Sequence, residues 1–125
     1  MPFKVDIFSP DRMVVAVARG EISLADLMML VKELVDSGTL SYRKIIDITS
    51  ATSAIGKDEL EGVAERLRSV PVLKPRGPLA LVADGNRGEL ARLFMSLTLG
   101  ERPVQVFRSI HEARKWLLAN SGSAF

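Results

Sequence analysis

The chain has 125 residues, 47% hydrophobic and 26% charged, with a formal net charge of +2 and no cysteine. That size and balance describe one globular domain, 1–125, able to bury a core without staples. Disulfides, thiolate zinc sites and cysteine nucleophiles are excluded. The small, dispersed charge argues against a nucleic-acid partner, and no apolar run reaches the roughly 18 residues of a membrane span.

Met1 to Asp6 has neither a basic n-region nor an apolar h-region, so no signal peptide is expected and a cytoplasmic location is. Phe3 to Phe8 alternates Phe3, Val5 and Ile7 with Lys4, Asp6 and Phe8, the period of a half-buried strand. Ser9-Pro10-Asp11-Arg12 reads as a turn, and Met13 to Ala18 is an apolar run suited to a strand covered on both faces. So short a connection predicts antiparallel pairing of these two strands. Gly20-Glu21-Ile22 closes the second.

Ser23 and Asp26 predict a capped helix whose stripe is Leu24, Leu27, Met28, Val31, Leu34 and Val35, ended by Gly38. Lys44 to Thr49 is the third predicted strand, followed by a loop of small hydroxyls up to Gly56. Leu60, Val63, Ala64 and Leu67 mark a second amphipathic helix before Pro71. Pro78 to Ala83 reads as a buried strand, and Asn86 with Glu89 opens a third helix that is apolar almost all round and ends at Gly100. Pro103 to Phe107 is the last strand. Ser109 with Glu112 caps a final helix carrying Ala113, Trp116 and Leu117, and the core ends near Leu118, before a tail over 119–125.

The order β-β-α-β-α-β-α-β-α predicts an α/β fold with a five-stranded mixed sheet, strand one antiparallel and the others parallel. Ligands of open α/β sheets gather beyond the carboxyl ends of the strands, where helix N-termini also begin. Thr49, Ser50, Thr52 and Ser53 fall at that edge, with chemistry suited to a partner's hydrogen bonds or to phosphorylation. Asp47, between Ile46 and Ile48, is either a perturbed functional acid or an acid at the strand's end, hydrogen-bonded to neighbouring loop N–H groups or facing solvent.

His111 is the single histidine, and no Gly-x-Ser-x-Gly elbow is present, so catalysis is not expected; neither is a metal or another cofactor. Asp84-Gly85-Asn86-Arg87-Gly88 lacks the ending of a P-loop and reads as a turn and cap. Arg66, Arg68, Lys74 and Arg76 form a basic helix end, either solvated or facing an anionic surface. Leu90, Phe94, Met95 and Leu97 of the apolar third helix need cover: a neighbouring element, a second copy of the chain as a homodimer, or a lipid or membrane surface.

Tyr42-Arg43-Lys44-Ile45-Ile46-Asp47-Ile48-Thr49 before a hydroxyl loop, and Val106-Phe107-Arg108-Ser109 before Glu112-Ala113-Arg114-Lys115-Trp116-Leu117, resemble the SpoIIAA-like (STAS-like) family over nearly the whole chain. The resemblance implies an α/β sandwich of a mixed sheet and packed helices. Members are mostly small bacterial proteins of unassigned function, and the superfamily is similar to CRAL-TRIO lipid-binding domains. Sporulation relatives that antagonise anti-sigma factors are switched by phosphorylation of a serine in an Asp-Ser-Ser-Gly type sequence. The corresponding stretch here is Thr52-Ser53-Ala54-Ile55-Gly56, without the aspartate, and Ser53 is the nearest match.

The leading expectation is therefore a non-catalytic regulatory domain that shows its hydroxyl loop to a protein partner. The alternative is a small domain for a lipid or apolar ligand, with the third helix against it. A small hydrolase built from Ser53, His111 and Asp47 comes last.

Overall fold

The structure, a computed structural model, describes residues 3–53, 55–69, 76–84, 91–92, 94–95 and 102–121. Its elements are β1 (Phe3–Phe8), β2 (Met13–Ile22), α1 (Leu24–Asp36), β3 (Arg43–Ser53), α2 (Lys57–Ser69), β4 (Leu79–Val82), β5 (Val104–Phe107) and α3 (Ile110–Ser121). Of the apolar third helix in the sequence reading, Ala91, Arg92, Phe94 and Met95 are helical; Leu90 and Leu97 lie outside the described residues. No described helix is long and apolar enough to cross a membrane.

The five strands form one sheet in the order β1-β2-β3-β4-β5, with β1 antiparallel to β2 and the remaining pairs parallel. Because the parallel strands follow one another across the sheet without reversal, crossovers of one hand all fall on one face. The core divides accordingly. Val14, Ala16 and Ile48 pack with Leu30, Val31 and Leu34 of α1, Val63 and Leu67 of α2, and Ala91. On the opposite face Val15, Ile45, Ala80 and Val82 pack against Ala113 and Leu117 of α3, with Phe107 and Trp116 at the margin, their rings 5.5 Å apart. Both faces of β2 to β4 are thus covered, which is why these strands read as unbroken apolar runs.

Local chemistry sets the joints. The Ser23 hydroxyl accepts from Asp26 N–H at 3.2 Å, and the Asp26 carboxylate accepts from Ser23 N–H at 2.8 Å, a complete capping box for α1. These bonds to the charged form also hold the Asp26 carboxyl below its usual value, the backbone N–H first. At the other end Gly38 takes φ 71°; its N–H donates to Val35 and that of Thr39 to Leu34, both at 3.1 Å. This pair of bonds is the Schellman stop, which glycine reaches without strain.

One boundary moves. The sequence pattern predicts a third strand ending at Thr49 with Ser50, Thr52 and Ser53 in a loop; in the structure all of them belong to β3. Arg19 to Ile22 of β2 continue to pair with Ser50 to Ser53, so the ladder supplies the backbone partners that keep this stretch extended. The register slips between Val17 and Arg19, so Ile48 and Thr49 stand where β2 has only Ala18. That extra residue is a β-bulge, and it reverses which alternate positions face α1 and α2: Ile46 and Ile48 before it, Ala51 after it.

Candidate functional site

Lys44 begins the path to the site. It lies two residues before Ile46 and four before Ile48, on the strand face that packs under α1 and α2. Its side chain is only 4% exposed. The ammonium donates to the backbone carbonyls of Leu40 and Tyr42, both at 2.8 Å, and of Gly77 at 3.2 Å. Three acceptors match the three N–H groups of a lysine. Burial nevertheless disfavours the charge, and Arg102 and then Arg76 add repulsion, so the Lys44 pKa falls to about 7.

The loops that surround this lysine come together by backbone bonds. Gly77 N–H donates to Leu40 at 3.0 Å, and Lys44 N–H donates to Pro78 at 2.9 Å. A Cβ on Gly77 would overlap the carbonyl oxygens of Tyr42 and Ser41, so only glycine allows the two segments this close. Arg76, half-buried, donates through Nη2 to the carbonyl of Leu67 at the end of α2, and Arg102 is buried.

Beyond Lys44 lies an apolar cavity of about 100 Å³ between the sheet and its helices. Ile46 and Ile48 form part of its floor. Leu27, Leu30, Val31 and Leu34 of α1 wall one side, and Leu60, Val63 and Leu67 of α2 another. Phe94 also lines it, so this part of the third helix faces inward; Phe94 and Met95 are half-buried and pack against the core. The polar members of the described lining are Lys44, Arg76 and Arg102, and no described lining residue is acidic. From Lys44 to Ile48 the floor runs four residues of strand, about 13 Å. The sequence reading looked for a site beyond the carboxyl ends of the strands. The cationic end of this cavity instead sits at the amino end of β3, because the strand order has no reversal and so opens no crevice at the opposite edge.

Of the four hydroxyls, those of Thr49 and Ser53 are engaged within the fold. Asp47, 9% exposed, accepts through Oδ1 from Thr49 N–H at 2.9 Å and from the Thr49 hydroxyl at 2.7 Å. It thereby satisfies the N–H that the bulge leaves out of the ladder. Ser53 donates to the Ile22 carbonyl and accepts from Ile55 N–H, each at 3.1 Å. The residue that opens α2 is Gly56, whose carbonyl accepts from Leu60 N–H and whose N–H donates to Glu59, again at 3.1 Å each. Ser50 and Thr52 are exposed. His111 is exposed in the first turn of α3, on the face away from the cavity. Among the described residues no group of His, Asp and Glu is placed to hold a metal.

Lys44 was not singled out from the sequence, although its spacing from Ile46 and Ile48 already put it on their face of the strand.

No family model and no curated protein matches the chain. Among solved structures it is similar to an uncharacterized protein of the DUF3478 family with a SpoIIAA-like fold from Shewanella loihica PV-4. The two share 18% identity over 92% of this chain and 91% of that one, with a TM-score of 0.59. The likeness is one of fold, and on it this chain, a mixed five-stranded sheet with helices on both faces, has a SpoIIAA-like fold.

Proposed function

We propose that this domain is a non-catalytic binding module whose ligand is a small apolar molecule lodged between the sheet and helices α1 and α2. The observation that carries this reading is the cavity: a lined apolar space in a core of otherwise interdigitated side chains. Dry apolar voids of comparable size, about 150 Å³, take up molecules such as benzene. The Ser53 proton is engaged by the Ile22 carbonyl, so the hydroxyl has no base to activate it, which weighs against the hydrolase reading.

Thermal unfolding with octanol as probe tests the proposal. Octanol should raise the melting temperature in a dose-dependent way by binding the folded state alone. In Val31→Phe, which fills the space, that rise should disappear. An equal rise in both proteins, or none in the wild type, would rule the cavity out as the binding site.

A further inference from the structure

β1 stands at one end of the sheet, and among the described residues its strand neighbour is β2, on one side. Alternate backbone N–H and C=O groups of such an edge point away from the sheet and can take up another extended chain. The side chains of β1 form two rows. Phe3, Val5 and Ile7 lie on the α1 side, where Phe3 and Val5 pack with the core, and Lys4, Asp6 and Phe8 lie on the other. Lys4 and Asp6 are exposed, and the residues opposite them on β2 are Val17 and Val15, which carry no charge. Neither is in an ion pair among the described residues. Ile7 and Phe8 are 39% and 45% exposed, so the end of the strand leaves two large apolar side chains open to solvent.

A lysine by itself blunts an edge strand against other copies of the same chain. An aspartate two residues later reverses that effect. Antiparallel pairing of two identical edges has a two-fold axis normal to the sheet, so opposed residues share a face. With the axis at Val5, each Lys4 opposes an Asp6, each Phe3 opposes an Ile7, and the two Val5 side chains meet. An axis at Lys4 would set lysine against lysine, and one at Asp6 would set aspartate against aspartate. Opposite charges directly across two strands stabilise the pair, and like charges there oppose it. The register centred on Val5 is the one that joins unlike charges.

We infer that the outer edge of β1 docks a second copy of this chain, antiparallel about Val5, with Lys4 of each copy against the partner's Asp6. The two sheets then continue into one. The backbone ladder supplies the attraction, and the charge pattern selects the register.

Sedimentation equilibrium of the full chain at low ionic strength, over a dilution series from about 1 mM, tests the pairing. The wild type should form a dimer. Lys4→Asp sets acid against acid on both sides of the axis, and Asp6→Lys sets lysine against lysine. Each should weaken the dimer roughly tenfold or more, because two attractive cross-strand pairs become repulsive. The double variant Lys4→Asp/Asp6→Lys restores unlike pairs and should return the dissociation constant to within about threefold of the wild type. Both positions are exposed, and should one single variant fail to fold, the other and the double variant still decide. A wild type that stays monomeric throughout would overturn the inference. So would a dimer that the single variants leave intact, which would place the contact elsewhere. A double variant as weak as the single ones would overturn it by removing the register.

Discussion

Gly77 and Lys44 share one acceptor: the carbonyl oxygen of Leu40 takes the Gly77 N–H at 3.0 Å and the Lys44 ammonium at 2.8 Å. Residues 33 apart in sequence are thereby fixed to the end of the loop that follows α1. The arrangement ties the start of β3 to the start of β4 and holds a charge inside the core. It also makes the cationic end of the cavity a product of backbone geometry, since all three acceptors of the ammonium are main-chain oxygens.

Gly77→Ala should therefore damage more than one contact. The added methyl meets the Tyr42 and Ser41 carbonyls, which belong to backbone and cannot swing aside. We expect a loss of roughly 2–4 kcal/mol, in the range of overpacking that also breaks buried hydrogen bonds. Urea denaturation measures it directly; a loss below about 0.5 kcal/mol would show that the segments can separate at little cost.

Lys44 makes stability depend on pH. Unfolded, its amine titrates near 10.5; folded, burial and then the repulsion of Arg102 and Arg76 bring it to about 7. Below pH 7 both states are charged and the whole penalty of burying the cation is present. Between 7 and 10.5 the unfolded chain holds more protons, so stability rises with pH, and above 10.5 the penalty is gone. Relative to Lys44→Met, the wild type should gain about 2–3 kcal/mol between pH 7 and 9, at about 1.4 kcal/mol per unit. Parallel stability curves for the two proteins over that interval would contradict the assignment.

What could be read from the sequence follows from which interactions are local. The α1 caps were legible because Ser23, Asp26 and Gly38 act within one helical turn. The mixed five-stranded sheet, with strand one antiparallel and the others parallel, was legible because apolar runs and short connections leave few arrangements, whereas the order of strands across it comes from the structure. The length of β3 was not legible, since Ser50 to Ser53 are extended only through pairing with Arg19 to Ile22, some thirty residues earlier. Lys44 was hidden for the same reason. Nothing beside it in sequence shows that Gly77 will bring a third carbonyl to its ammonium. For the apolar third helix the sequence leaves open whether a neighbouring element, a second copy or a lipid gives cover, because that depends on tertiary placement; of its described residues Phe94 and Met95 pack against the core and Phe94 lines the cavity.

Asp47 should prove structural. Its carboxylate receives two bonds from Thr49 at the bulge, and removing it leaves a half-buried N–H and hydroxyl unsatisfied. Asp47→Ala is expected to cost about 1–2 kcal/mol. Asp47→Asn keeps an acceptor oxygen and should cost less. Chemical denaturation of the pair would decide, with equal stability of Asp47→Ala and wild type counting against a role at the bulge.

Ser53 permits the sharpest separation between a structural hydroxyl and a modification site. Its oxygen links the end of β2 to the segment entering α2, donating to Ile22 and accepting from Ile55. Alanine removes both bonds and should cost about 1 kcal/mol. Aspartate keeps an acceptor but has no proton for Ile22, and it sets a negative charge against that carbonyl oxygen. Ser53→Asp should then cost about 2 kcal/mol, more than alanine, with an unchanged dependence on urea concentration. A phosphoryl group would meet the same opposition, since it replaces the donor with acceptor oxygens. Were Ser53→Asp as stable as the wild type, the hydroxyl would be dispensable to the fold, and phosphorylation at this position would regain its standing as a switch.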